Sequence, residues 1–311
     1  MADATRSLIP AVMTRDPAVG KDGAPRRRIK EMEAMVADVV VETPDTVTLV
    51  LFTGNERLEY QPGHFLTIDP HQFQELSRFI AFFEDAKSRK EAPRAYSLAS
   101  EPGERYLAIT VKEERYVSGG TKYPPLLSPL LVHGIPRGTH MVITGFTGPY
   151  VLPPDPEQKT DHLVHLVAGS GSVPNLSILK HALREYPRIR HTVVYSNKTW
   201  ADVIYRDLLH RLQAEHPDRL RVVHTLTREE HPELHGPGVR KGRISGALLR
   251  EVIPDPKACL VYACGPAVGP LEREAAKASG VPPAPRFLES ALAAARDAGV
   301  PLDRVKRESW G

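Results

Sequence analysis

Arg94-Ala95-Tyr96-Ser97 places a permanent cation, a flat aromatic and a hydroxyl within four residues. A guanidinium stays charged and grips a pyrophosphate through paired hydrogen bonds. A tyrosine face stacks on a planar redox ring, and a serine hydroxyl donates to or accepts from a ring nitrogen whose protonation changes on reduction. In an extended strand residues 94 and 96 share one face and 97 points the other way. Ser97 must therefore meet such a ring at its edge or through a local bend. The same four residues also suit an ordinary barrel strand with a surface Arg and a core Tyr.

Gly169-Ser170-Gly171-Ser172-Val173-Pro174 follows an apolar run and opens a helical pattern. Glycines let backbone approach a pyrophosphate, and a helix N-terminus offers free N–H groups and a positive dipole end. Pro174 fits an early helical position, but it stands where the third glycine of the G-x-G-x-x-G fingerprint would fall. A tight turn without a ligand is the competing reading. Cys264-Gly265-Pro266 closes a later apolar run. Its thiol suits contact with a nicotinamide ring, or a small buried residue before a turn. The set matches one flavin and one dinucleotide held face to face.

Two kinds of element must position these residues. Short β-branched runs at 36–42, 47–52, 64–68, 95–99, 107–112 and 141–144, broken by Gly/Pro turns, predict a small antiparallel barrel. Between the third and fourth runs, Phe73, Leu76, Phe79, Ile80 and Phe83 recur at helical spacing, predicting an inserted amphipathic helix at about 71–91 with this stripe packed on the barrel. A Pro-rich polar stretch at 153–161 reads as a linker. Beyond it strands at 162–168, 192–195, 220–225 and 260–263 alternate with helices at 173–184, 201–214, 245–251, 267–278 and 286–298. That rhythm predicts a doubly wound parallel sheet. The expected division is a polar tail at 1–32, a barrel domain at 33–155 and a nucleotide-binding domain at 160–311. Arg26-Arg27-Arg28 in the tail is a docking patch or a solvated run.

Bulk numbers narrow the class. The 311 residues are 41% hydrophobic and 25% charged, with a net charge of +3. Neither a nucleic-acid nor a membrane partner follows from that charge. No run of 18 apolar residues occurs, so a soluble, cytoplasmic protein is expected. The two cysteines, Cys259 and Cys264, do not form a disulfide framework. Four thiolates are needed for a plant-type iron–sulfur cluster, so any such partner is expected on a separate chain. No metal site is expected.

These residues make the chain resemble the ferredoxin–NADP reductase superfamily over about residues 33–311, in particular the NAD(P)H-dependent reductase components of bacterial multicomponent oxygenases. The resemblance implies a flavin-binding barrel followed by a nucleotide-binding α/β domain, FAD as the flavin, and NADPH or NADH as donor. It implies an oxidoreductase that passes electrons to a separate ferredoxin or oxygenase-type acceptor. Arg94 then meets the flavin pyrophosphate, Tyr96 stacks on the ring and Ser97 approaches its reactive nitrogen. Gly119, Gly120 and Ser128 match a second phosphate-binding element, although residues 121–127 are extra. Gly169, Gly171 and Pro174 fall on the dinucleotide pyrophosphate loop. The stretches from Tyr195 to Thr199 and from Asp202 to Asp207 resemble the family's surroundings of the adenosine ribose, where Ser196, Lys198 and Arg206 favour NADPH and Asp202 and Asp207 weigh the other way. Cys264, Gly265 and Pro266 match the nicotinamide-side motif, and Glu308-Ser309-Trp310 the terminal Glu-x-aromatic. Ser97, Cys264 and Glu308 are thereby implied as catalytic, with Trp310 either covering the flavin or lying in a frayed tail. Two departures stand out: Phe146 replaces a usual proline, and the sequence stops where a fused ferredoxin domain would begin. Other functions consistent with the residues are a free-flavin or small-acceptor reductase and a non-catalytic flavin- or nucleotide-binding regulatory subunit.

Overall fold

The computed structural model describes residues 30–55, 58–116 and 122–309. Gly119, Gly120, Trp310 and the basic run Arg26-Arg27-Arg28 lie outside the described residues. The first half is a six-stranded antiparallel sheet built from β1 (Lys30–Thr43), β2 (Thr46–Phe52), β3 (Phe65–Ile68), β4 (Arg94–Ser97), β5 (Leu107–Lys112) and β6 (His140–Thr147). β1 serves two neighbours: residues 30–35 pair with β6 and residues 35–43 with β2. A register shift between Val36 and Asp38 marks the changeover, as expected of a bulge that bends a strand around a corner. The spatial order is β4-β3-β6-β1-β2-β5, and a bridge between Leu98 and Ile109 brings the two ends together into a barrel.

Alternation along the strands turns Leu49, Leu51, Leu66, Ile68, Ile109 and Ile143 inward, and none of them is exposed. Each such burial contributes about 1.5–3 kcal/mol. Asp45 fixes the β1–β2 turn by accepting from Thr43 Oγ1 and Thr46 Oγ1 and pairing with Lys112. Helix α1 (Ser77–Lys87) is the inserted element between β3 and β4. Phe73, Leu76, Ile80 and Phe83 are buried, but Phe79 is 58% exposed. The expected stripe is corrected there: one residue is about 100° of helix rotation, so Phe79 stands beside the buried Leu76–Ile80–Phe83 row, with Phe82 exposed on the same outer side. α2 (Ser128–His133) then seals the barrel with Leu131.

The stretch expected as a linker contains a single helical turn, α3 (Pro156–Lys159). The second sheet follows: β7 (His162–Ala168), α4 (Ser172–Glu185), β8 (Arg190–Asn197), α5 (Arg206–Glu215), β9 (Leu220–Leu226), β10 (Val239–Lys241), α6 (Gly246–Val252), β11 (Leu260–Gly265), α7 (Pro270–Ser279), α8 (Phe287–Asp297) and β12 (Val305–Ser309). All its strand pairs are parallel, in the order β10-β9-β8-β7-β11-β12. Every residue of β7 is buried, as a central strand covered on both faces requires. The order reverses between β7 and β11, and such a switch point opens a crevice at the carboxyl ends of the strands.

Two corrections belong to this half. The helix expected over 201–214 begins only at Arg206, because Trp200–Asp202 form a separate single turn and Tyr205 takes a left-handed φ of 60°. The short β10 and the charged edge strand β12 were not anticipated from the pattern. Among the described residues no helix is long and apolar enough to cross a membrane.

Candidate functional site

The sequence puts Arg94, Tyr96 and Ser97 on β4, opposite Ile68, Leu66 and Phe65 of β3. Tyr96 is half-buried, and burial pushes its phenol above the ordinary tyrosine range, so it stays neutral. Ser97 is buried, and its Oγ has no hydrogen-bond partner among the described residues. A buried hydroxyl left unpaired costs about 1–3 kcal/mol, so this orphaned atom fits a ligand heteroatom at the strand end, as a flavin ring edge supplies. Arg94 is held by Glu91 at 2.5 Å and by the carbonyl of Ala92. Ser128 opens α2, and its Oγ accepts from the backbone N–H of Glu114 at 3.2 Å.

The glycine-rich turn sits at the switch point, between the end of β7 and the start of α4. Gly169 has φ +52° with open space around its Cα. Its carbonyl accepts from Tyr195 Oη and Ser172 Oγ, each at 2.9 Å. Gly171 has a different reason to be glycine: a Cβ there would meet the Cys264 carbonyl oxygen at 2.2 Å and the Gly265 nitrogen at 2.8 Å. The turn is therefore seated directly on the end of β11. Gly265 is packed as closely, since its Cβ would lie 2.5 Å from the Phe287 ring. The Pro266 carbonyl accepts from Leu288 N at 3.0 Å, joining the turn to α8. Pro174, third residue of α4, is buried.

Cys264 is buried and stands in register with Glu308 of β12 and Val167 of β7. Both Cys264 and Glu308 lie in the electrostatic surroundings of buried Tyr150, whose phenol is pushed well up, first by burial. Tyr150 Oη accepts from Asn175 Nδ2 at 3.0 Å. Glu308, Cys264, Tyr150 and the opening of α4 thus form one neighbourhood.

Ser196 lies buried near the end of β8, paired with Ala168 and Thr225. Lys198 follows it into solvent. Arg206 opens α5, ion-paired with Asp207 at 3.1 Å and 5.7 Å from the centre of the Trp200 ring. The Asp202 carboxylate accepts from Thr199 N and Oγ1. Buried Thr225 Oγ1 has no hydrogen-bond partner among the described residues, which fits a polar ligand along this edge.

The two halves meet where β4 runs out. Ser177 of α4 donates to the Ser100 carbonyl at 2.6 Å, Arg184 pairs with Glu101, and Lys180 with Glu104. Ala99 packs in one cluster with Val173 and Leu176. A Cβ on Gly63 would strike the Tyr150 carbonyl at 1.9 Å. Ser97 lies three residues before the Ser100 contact, and the glycine-rich turn ends six residues before Ser177. The seam therefore joins the segment that follows Ser97 to the helix that the glycine-rich turn opens. Sequence reading missed Glu91, Tyr150 and Asn175, none of which belongs to a motif of its own.

A barrel with an aromatic and hydroxyl strand end, seamed to a parallel sheet with a glycine-rich switch point, defines the two-domain architecture of flavin- and dinucleotide-binding reductases. The model of the oxidoreductase NAD-binding domain family matches residues 166–272. The ferredoxin reductase component of 3-ketosteroid-9-alpha-monooxygenase from Mycolicibacterium smegmatis is 33% identical over 286 residues, covering 89% of this chain and 65% of that protein. An NADPH oxidoreductase of Mycobacterium tuberculosis is 28% identical over 243 residues, covering 76% of this chain and 54% of that protein. The chain thus spans about two thirds or less of the length of these curated relatives. Among solved structures, the FAD/NAD-binding domain of a nitric oxide dioxygenase from Vibrio cholerae superposes with a TM-score of 0.66 at 20% identity, covering 92% of this chain and all of that one. The chain is thus similar in sequence to ferredoxin reductase components and shares the two-domain fold of FAD/NAD-binding domains.

Proposed function

We propose that this protein is a flavin-dependent NAD(P)H oxidoreductase that carries electrons from NADPH or NADH through bound FAD to a separate ferredoxin or iron–sulfur oxygenase component. The observation that supports the reading is the seam that joins the end of β4, which carries Ser97 with its unpartnered hydroxyl, to α4, the helix opened by the turn that Gly171 seats on Cys264. When bound, FAD supplies the chemistry that accepts a two-electron hydride and releases electrons singly.

The residues have separable tasks. Arg94 holds the flavin pyrophosphate, with Ser128 at the same phosphate end. Tyr96 stacks on the ring, and Ser97 hydrogen-bonds its reactive edge. Gly169, Gly171 and Pro174 bring backbone N–H groups of α4 to the dinucleotide pyrophosphate. Ser196, Lys198 and Arg206 bind the ribose end. Cys264, Gly265 and Pro266 line the nicotinamide, with Glu308 beside Cys264 to orient it. Residues 33–155 serve the flavin and residues 160–311 the nucleotide. The protein contributes position and a water-poor seam, which is what hydride transfer between two bound rings requires.

These 311 residues hold two cysteines, both buried and outside any disulfide, too few for a four-thiolate cluster, so the acceptor centre is proposed to lie outside them. Two buried cysteines outside any disulfide also support the reducing cytoplasm as its compartment. Similarity to a ferredoxin reductase component supports an acceptor of that kind. The test uses purified flavin-loaded protein given NADPH or NADH. We expect rapid reduction of cytochrome c only when a [2Fe–2S] ferredoxin is added. Reduction of added free FAD as fast as of the ferredoxin would replace this reading with a free-flavin reductase. A bound flavin that neither nucleotide reduces would replace it with a regulatory role.

A further inference from the structure

Glu91 lies in the segment that returns from α1 to β4, outside every motif of the family reading. Its side chain is only 3% exposed, yet it keeps a charged carboxylate. One oxygen accepts from Lys87 Nζ at 2.6 Å and the other from Arg94 Nη2 at 2.5 Å. Its own N–H donates to Glu84 Oε1 at 2.8 Å, and Glu84 also binds His71 Nε2 at 2.8 Å. Lys87 is fixed in turn, with Nζ 4.8 Å from the ring centres of both Phe83 and Tyr123. Tyr123 Oη donates to the Ala86 carbonyl at 3.2 Å.

A buried carboxylate is tolerated only when paired, and here Lys87 and Arg94 flank the Glu91 carboxylate, one on each oxygen. Arg94 presents five N–H donors. Glu91 and the Ala92 carbonyl each take one, leaving three for a further anion. Its side chain is 37% exposed, so that side reaches solvent.

We propose that Glu91 is a positioning residue, fixed by Lys87 at the end of the inserted helix, that presets Arg94 for the pyrophosphate of FAD. The insertion is then part of the cofactor site rather than a decoration on the barrel. This inference rests on the reading of Arg94 as the flavin pyrophosphate ligand. Presetting matters because an arginine free to sample its rotamers loses side-chain entropy on every binding event.

The test compares flavins that differ in phosphate. Full-length protein is stripped of flavin, and the binding of FAD and of riboflavin is measured by fluorescence quenching for wild type, Glu91→Gln and Lys87→Gln. Charge-assisted hydrogen bonds of this kind predict that Glu91→Gln weakens FAD roughly 10-fold or more, with riboflavin changed by less than about 2-fold. Lys87→Gln should shift the FAD-to-riboflavin ratio in the same direction by less. An equal loss for both flavins would reduce Glu91 to a structural residue and overturn the inference. Tighter FAD binding in Glu91→Gln would overturn it differently, making Glu91 a competitor of the phosphate. Wild-type protein that binds neither flavin would contradict the flavin reading itself, an outcome distinct from both.

Discussion

The carboxylates around the ends of β8 and β9 are largely engaged within the protein. Asp202 accepts from Thr199, Glu229 from Trp200 N at 2.9 Å, and Asp207 from Arg206. Lys198 and Arg228, whose backbones are joined by an Arg228 N to Lys198 O hydrogen bond of 2.8 Å, are both exposed and make no ion pair among the described residues. Glu230, exposed two residues past Arg228, is the carboxylate left to favour a ribose diol. Unpaired cations beside the ribose end favour a 2′-phosphate. The protein should therefore prefer NADPH over NADH by roughly 10-fold or more in kcat/KM, and Lys198→Ala with Arg228→Ala should abolish most of that ratio. Steady-state kinetics with both nucleotides decide it. A wild-type preference for NADH that Glu230→Gln removes would reverse the assignment. Lys198 was legible in the sequence because it follows a strand end. Arg228 was not, since only the backbone pairing of two distant loops sets it beside Lys198.

At the scale of elements, the glycine-rich turn and β11 form one unit. A Cβ on Gly171 would penetrate the Cys264 backbone, and backbone cannot swing aside as a side chain does. Gly171→Ala should cost about 1–3 kcal/mol of stability and raise KM for the nucleotide. Gly169→Ala, with open space but a φ of +52°, should cost roughly 1–2 kcal/mol through strain alone. Denaturant midpoints and KM for the two variants check this. An unperturbed Gly171→Ala would refute the close packing. The turn was legible as a glycine-rich loop between strand and helix, but its reason was not. The sequence suggested room for phosphate, whereas at Gly171 the neighbour is another strand. Most strands and helices were legible because their apolar residues repeat with period 2 or 3.6. Trp200–Asp202 misled because the turn that Thr199 and Asp202 cap is ended at once by extended Val203 and left-handed Tyr205. Val305–Ser309 was hidden because an edge strand of Lys, Arg and Glu carries little apolar signal.

For the whole molecule, the nucleotide domain buries a set of histidines without charging them. Burial lowers His162, His165 and His224 to about 4, and His191 is lowered as well. His165 meets Asn175 at 2.9 Å and His191 at 3.4 Å. An unfolded histidine titrates near 6.5. Above that pH both states are neutral and these groups contribute nothing to the pH dependence. As pH falls below about 6.5 the unfolded chain takes up protons that the folded chain refuses until about pH 4, so stability drops. The loss should reach roughly 2 kcal/mol per histidine by pH 5, before most surface carboxylates titrate. Urea midpoints at pH 7 and pH 5 measure it, and equal midpoints would mean that these rings are not held neutral. The larger claim is that barrel and sheet are joined so that two cofactors meet at Ser97 and Cys264. The most direct measurement is an anaerobic stopped-flow absorbance trace of the purified protein mixed with NADPH or NADH. The account predicts a flavin spectrum that bleaches in a first-order phase, slowed in Ser97→Ala while the flavin stays bound. A protein that carries no flavin, or a bound flavin that neither nucleotide bleaches, would contradict it.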